Sequence, residues 1–302
     1  MNRKIFAALI TFLCCLPIRQ TFSQTLATSV SIKSDYTTTR SGLRIHYLEA
    51  GRSTSSPALI LIPGWRLPAF LWKEQLQKFS HTTRVIAIDP RSQGDSTITS
   101  DGNTPESRAN DLQEILAGLK VSRFVLVGWS QGAQDVAAYL QAFGTGSVAG
   151  VVLVDSPVSS GPAELDLHPQ FSKVILSNVF MYANHPQEFS EGMVRSLFSQ
   201  KQSDPDLSAI VKSTLKTPTG TGIAMLVADI FGTDRRPALM KLDRPALVIA
   251  AASSPLLDSQ KEMAASIPGA KFLAIEGAAH AVFVDQSGTF DSTLQVFLQS
   301  LP

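Results

Sequence analysis

Gly128-Trp129-Ser130-Gln131-Gly132 sets a serine between two glycines where two patterns of the chain meet. Before it runs Phe124-Val125-Leu126-Val127, apolar throughout, which reads as a buried strand. After it Val136, Tyr139, Leu140 and Phe143 recur at helical spacing. A serine on so sharp a strand-to-helix turn presents its Oγ at the carboxyl end of the strand, where it can attack as a nucleophile. The turn strains the serine backbone and leaves no room for flanking side chains, a need that Gly128 and Gly132 meet. The N–H of Gln131, first in the helix, points where negative charge would develop on an attacked carbonyl oxygen. The chemistry of such a turn is acyl transfer.

The elements that must hold the turn can be read on both sides of it. Val30 to Tyr36 and Leu43 to Leu48 alternate polar and apolar residues about Ser41-Gly42, predicting an antiparallel hairpin at a sheet edge. Ala58 to Ile62 and Val85 to Ile88 are continuously apolar, as strands covered on both faces are. A helix is expected from Pro68 to Phe79. Another starts at Thr104-Pro105, with Leu112, Ile115, Leu116 and Leu119 as its apolar stripe. Val151 to Val154 is the strand after the serine unit, and Asp155 ends it. Strands alternating with helices imply crossover connections and a parallel sheet. After Asp155 the alternation stops. Helices are expected over 187–198, 205–215 and 222–231, in a stretch rich in Phe and Met. Strands return at Ala246 to Ala250 and Lys271 to Ile275, and a helix from Phe283 to Leu298 closes the chain. The predicted fold is α/β, a mostly parallel twisted sheet flanked by helices. It is built from residues 24–156 and 236–302, with a helical cap inserted over 157–235.

A chain of 302 residues, 44% apolar and 17% charged, can bury a sizeable core. A net charge of +1 without a basic stripe argues against nucleic acid as a partner. Arg3 and Lys4 precede an apolar run from Ile5 to Ile18, too short to cross a bilayer comfortably. Thr21-Phe22-Ser23 then has the small-residue spacing of a signal-peptidase site. Residues 1–23 are therefore expected to be a removed export signal, leaving no stable membrane anchor. Their loss takes three of the 26 basic residues, so 23 remain against 25 acidic ones, a net charge of −2. It also takes both cysteines, Cys14 and Cys15, and with them any disulfide or thiolate metal site. Such an enzyme is expected in a periplasm or the surrounding medium. No His, Cys, Asp or Glu cluster has metal-ligand spacing and no glycine-rich phosphate loop is present, so neither metal nor cofactor is expected.

The order of elements, the turn at Ser130, the insertion and Gly277-Ala278-Ala279-His280 together resemble the α/β-hydrolase fold superfamily over roughly residues 35–300. Pro63-Gly64-Trp65 stands where that superfamily usually has His-Gly-X. Asp89-Pro90-Arg91-Ser92-Gln93-Gly94-Asp95-Ser96 resembles its Asp-x-Arg-Gly-x-Gly-x-Ser turn, a piece of architecture. Gly277-x-x-His280 followed by Val284-Asp285 resembles the loop of its histidine. The resemblance implies a triad in the order serine, acid, histidine. Ser130 would be the nucleophile and His280 the base, since of five histidines only His280 follows the last strand. It implies an oxyanion hole from the N–H groups of Trp65 and Gln131. The acid is open. Most members carry it after the penultimate strand, but here Ala250 to Pro255 offers no carboxylate before Asp258. Asp155, at a position some members use, is the leading candidate. Asp258, and Asp229 or Asp234 of the cap, are the others.

These readings predict an exported serine hydrolase acting on a carboxylic ester or a similar acyl compound. Trp65 and Trp129 would flank Ser130, and the aromatic-rich cap would roof a pocket for a small, apolar acyl substrate. Dehalogenase and epoxide hydrolase chemistry is disfavoured, because those relatives need a carboxylate where Ser130 stands. Two alternatives stay open. One is a cofactor-free perhydrolase or haloperoxidase-like enzyme using the same triad. The other is a ligand-binding protein without turnover, which rests on the missing carboxylate in the usual loop.

Overall fold

Eight apolar or alternating runs become strands: β1 (Lys33–Thr38), β2 (Arg44–Ala50), β3 (Ala58–Ile62), β4 (Val85–Ile88), β5 (Phe124–Trp129), β6 (Val148–Val154), β7 (Ala246–Ala251) and β8 (Lys271–Ile275). In the computed structural model, which describes residues 30–302, they form one sheet in the order β1-β2-β4-β3-β5-β6-β7-β8. β1 with β2, and β2 with β4, are antiparallel, so the predicted hairpin forms the edge. Every other pairing is parallel. The strands β3 to β7 are buried along their whole length, which is why they lack polar alternation. The expected export signal, residues 1–23 with Cys14 and Cys15, lies outside the described residues. Among the described residues no helix is long and apolar enough to cross a membrane.

The helices follow in chain order: α1 (Lys73–Phe79), α2 (Pro105–Gly118), α3 (Gln131–Phe143), α4 (Glu164–Leu167), α5 (Pro169–Asn184), α6 (Pro186–Ser196), α7 (Asp204–Thr214), α8 (Thr219–Phe231), α9 (Arg236–Met240), α10 (Leu257–Ser266), α11 (Val282–Asp285) and α12 (Ser287–Gln299). Each sheet face carries its own core. Leu59, Leu61, Val125, Val127 and Val152 meet Trp72, Leu76, Phe283, Phe290 and Leu294 on one side. Ile60, Ile62, Leu126, Val151 and Leu153 meet Leu112, Ile115, Val136, Leu140 and Met263 on the other. Strand neighbours thus split between the faces with period two, and each fully buried aliphatic side chain contributes about 1.5–3 kcal/mol.

Between β6 and β7 lie α4 to α9 without a strand, so the insertion is helical as expected. α5, its longest helix, has no counterpart among the three helices predicted for this stretch. Its apolar residues Val174, Leu176, Phe180 and Met181 are exposed while Ile175 and Tyr182 are buried, so apolar side chains surround the helix and blur its 3.6-residue stripe. The expected helix from Pro68 divides in two: Ala69–Trp72 is a 3-10 turn, and α1 starts only at Lys73.

Candidate active site

β5 is the central strand, with β3 on one side and β6 on the other, so the loops leaving these three strands meet at one edge. Ser130 ends β5 and precedes α3 with φ 55° and ψ −118°, a conformation that strains any residue with a Cβ. The two glycines are there for space. A Cβ on Gly128 would lie 2.3 Å from the Gly132 carbonyl oxygen, and one on Gly132 would lie 2.6 Å from the Ile62 oxygen. The loop after β3 comes equally close: a Cβ on Gly64 would lie 3.1 Å from Ser130 Cβ. That loop is tied down by Asp89, whose Oδ1 accepts Ala69 N–H at 2.6 Å. Its own turn bond runs from Leu67 N–H to Gly64 O at 3.0 Å, which leaves Trp65 N–H outside it. Gln131 N–H is a first-turn donor that no carbonyl of its helix reaches. Trp65 and Gln131 therefore flank Ser130 from two elements.

β6 ends in Asp155, itself at φ 46°, and the loop after β8 carries His280. His280 Nδ1 and Asp155 Oδ2 are 2.7 Å apart. Asp155 is buried, and its Oδ1 accepts Ala251 N–H at 2.9 Å and Gln260 Nε2 at 3.2 Å. Three donors thus converge on one buried carboxylate and fix its orientation. The histidine loop is held from below and from the side. Trp129 Nε1 donates to the His280 carbonyl at 2.9 Å, and Asp285 Oδ2 accepts Ala279 N–H at 2.8 Å. With Nδ1 committed to Asp155, Nε2 is the ring nitrogen left for Ser130, and both residues line one cavity.

An α/β hydrolase fold model matches residues 57–287, three quarters of the chain. The chain belongs to the α/β-hydrolase family. It is 26% identical over 261 residues to a non-heme chloroperoxidase of Kitasatospora aureofaciens, covering 81% of this chain and 91% of the relative. It is 25% identical over 277 residues to a bifunctional esterase/perhydrolase of Acinetobacter calcoaceticus, covering 88% and 99%. An esterase structure from Exiguobacterium antarcticum superposes with a TM-score of 0.78 at 18% identity, covering 89% of this chain and all of the other, a likeness of fold.

The cavity of this α/β-hydrolase has a volume of about 610 Å³. Trp65 and Ser130 line its sheet side, and Phe171, Ile175, Leu226 and Ile230 of the inserted helices line the opposite wall. One expectation is corrected here. Trp129 does not line the cavity: it is fully buried behind His280, with ring centroids 5.3 Å apart, and packs edge-on against Trp72 and Phe283. Its strand is covered on both faces, so a residue next to the nucleophile points into core.

The other candidate acids are paired with groups other than His280. Asp258 is exposed and pairs with Lys261 at 3.1 Å. Asp234 pairs with Arg236 at the cavity wall. Asp229 is buried and shares Arg108 with Asp135, which Arg108 Nε reaches at 2.8 Å. Burial raises both carboxyls, Asp135 to about 7, because two acids compete for one guanidinium out of water. His46, Asp89 and Asp95 also converge, their ligand atoms within 4.8 Å of one another. Sequence spacing did not reveal this group. Its atoms are already engaged: His46 Nδ1 with Asp89 at 2.7 Å, His46 Nε2 with Ser34 at 2.8 Å, and Asp95 with Lys216. It reads as wiring for the loop after β3.

Proposed function

We propose that this α/β-hydrolase is an exported serine esterase that cleaves a carboxylic ester or related acyl compound through an acyl-enzyme on Ser130. The observation that carries this reading is the bond between His280 Nδ1 and Asp155 Oδ2 at 2.7 Å. It fixes the imidazole tautomer whose Nε2 can take a proton from a serine hydroxyl, and it places a negative charge to balance the imidazolium. Ser130 Oγ attacks the ester carbonyl as its proton moves to His280. The oxyanion is met by the N–H groups of Trp65 and Gln131. Collapse expels the alcohol, which takes the proton back from His280. Water then attacks the acyl-enzyme with His280 again as base, releasing the acid and restoring Ser130. Phe171, Ile175, Leu226 and Ile230 suit an apolar acyl or alcohol group. Export rests on the residue pattern of positions 3–23.

The similarity to a bifunctional esterase/perhydrolase and to a non-heme chloroperoxidase supports a second reading. Hydrogen peroxide in place of water would attack the same acyl-enzyme, giving a peroxyacid and free Ser130. One experiment addresses both. A panel of p-nitrophenyl esters of graded acyl length is hydrolysed with and without peroxide, and a fluorophosphonate is applied to wild type and Ser130→Ala. Labelling and turnover that vanish in Ser130→Ala are expected. Equal labelling of both would remove Ser130 as nucleophile, and a folded wild type that neither reacts nor turns over would favour a binding protein.

A further inference from the structure

The residue after Trp65 is anomalous. Arg66 has φ 58° and a side chain with no exposure to solvent, and among the described residues no carboxylate pairs with it. Its guanidinium carbon lies 4.1 Å from the ring centroids of both Trp65 and Tyr182, and 6.0 Å from that of Phe189. Nη1 donates to Ser190 Oγ at 3.1 Å and Thr214 O at 3.5 Å, Nη2 to Met193 Sδ at 3.5 Å, and Nε–H has no acceptor. Loss of hydration lowers its pKa only to about 10, so the group stays charged at neutral pH. A leucine or methionine would fill that volume without stripping a cation of water.

What the cation touches explains why it is there. Tyr182 belongs to α5, Phe189, Ser190 and Met193 to α6, and Thr214 to the end of α7. Trp65 enters the same socket: its Nε1 donates to Gly222 O of α8 at 2.8 Å, and its ring meets Tyr182 edge-on at 5.3 Å. The socket closes only because position 222 is glycine. A Cβ there would lie 2.8 Å from Tyr182 Oη and 2.9 Å from Arg66 Cδ. The loop 64–66 is thus gripped from both sides, by the Cβ and Oγ of Ser130 against Gly64 inside and by four inserted helices outside.

We propose that Arg66 is a positioning residue that locks the loop after β3 into the inserted helices, so that Trp65 N–H is held at oxyanion distance from Ser130 only while those helices are docked. The inference rests on the esterase reading above. The helices then do more than cover the substrate: they form the outer half of the mount for one oxyanion donor. Because a misplacement of about 1 Å in such a group can cost about 100-fold in rate, a loosened Arg66 reaches the chemistry without touching the substrate.

The test uses Arg66→Met, Arg66→Lys and Gly222→Ala in the full chain. Active sites are counted by fluorophosphonate titration. For each variant kcat per titrated site, KM for one p-nitrophenyl ester and the Ki of a trifluoromethyl ketone, whose hemiketal places an oxyanion in the hole, are measured. Arg66→Met is expected to lower kcat per site by about 10- to 100-fold and raise the Ki by a similar factor, with KM within about threefold. Arg66→Lys keeps the charge without the flat stacking surface and is expected to recover part of the loss. Gly222→Ala disturbs the same socket from the other side, so its effect on kcat should be far from additive with that of Arg66→Met. If kcat per titrated site and the Ki are unchanged while only the melting temperature falls, Arg66 is packing and the inference is overturned. Should Arg66→Met fail to fold, the same criteria applied to Arg66→Lys and Gly222→Ala decide it. A wild type that does not react with the fluorophosphonate overturns the esterase reading and the inference with it. A reactive wild type beside unaffected variants overturns the inference alone.

Discussion

Asp155→Asn exchanges one carboxylate oxygen for an NH2 group at constant size. The carboxylate accepts from Ala251 N–H at 2.9 Å and Gln260 Nε2 at 3.2 Å on one oxygen, and from His280 Nδ1 at 2.7 Å on the other. An asparagine has one acceptor oxygen and one donor nitrogen, so it must choose. With its oxygen toward His280, its NH2 would confront two buried donors, each left unpaired at about 1–3 kcal/mol. In the opposite rotamer the NH2 confronts only His280, and the ring relieves the conflict by moving its proton to Nε2. The backbone therefore selects the rotamer that gives the wrong tautomer, in which Nε2 cannot accept the serine proton. On the esterase reading kcat should fall by about four orders of magnitude, roughly 5.5 kcal/mol of barrier. The number of hydrogen bonds is conserved, so the melting temperature should move little. The assay is kcat on a p-nitrophenyl ester, with circular dichroism to confirm folding and Asp258→Asn, an exposed site, as the control expected to change little. An Asp155→Asn enzyme within about tenfold of wild type would refute the tautomer argument.

Trp129→Phe removes the donor to the His280 carbonyl and should lower kcat by about fivefold, the worth of one hydrogen bond, without altering acyl-length preference. A shifted preference would return Trp129 to the substrate pocket. Gly132→Ala drives a Cβ to 2.6 Å from a backbone oxygen and should destabilise the fold by roughly 1–3 kcal/mol or more in urea unfolding; an unchanged midpoint would contradict the packing of the turn. Burial holds Asp135 at about 7, against about 3.9 in an unfolded chain. Between those values the folded protein keeps a proton that the unfolded chain has released, so stability falls as pH rises through the window. The urea midpoint of Asp135→Asn should accordingly decline less from pH 4 to pH 7 than that of wild type, and equal declines would exclude Asp135 as the titrating group. On the export reading the mature protein should begin near Gln24 and contain no titratable thiol, and mass spectrometry finding residues 1–23 intact on protein recovered outside the cytoplasm would reject that reading.

The turn at Ser130 was legible because its demands are local: strain at one residue and absent side chains two positions either side are written directly as Gly128 and Gly132. The same holds for the sheet, whose buried strands advertise themselves by continuous apolar runs. Trp129 was misread because strand alternation says which neighbours share a face, not which face is covered, and in this sheet both are. α5 was missed because its apolar residues point everywhere, some into the insertion's core and some into solvent. The Arg66 socket left no trace in the sequence at all. Its partners lie 116 to 156 positions away, and a buried cation without a carboxylate is the opposite of what local rules lead one to expect.

The choice among four acids shows where sequence reasoning stops and topology takes over. β6 lies between β5 and β7, so an acid at its end is one strand from Ser130 and one from the loop that most family members use. Ser130 N–H donates to Val154 O at 3.0 Å and Asp155 N–H to Ile249 O at 2.8 Å, which locks the end of β6 to both neighbours. The positive φ of Asp155 then turns its side chain toward β7. There the loop without a carboxylate serves the acid in another way: Ala251 gives its N–H and α10 gives the amide of Gln260 to the same oxygen. The donors of the β7 side thus orient a carboxylate that arrives from β6, and its other oxygen is left to meet His280.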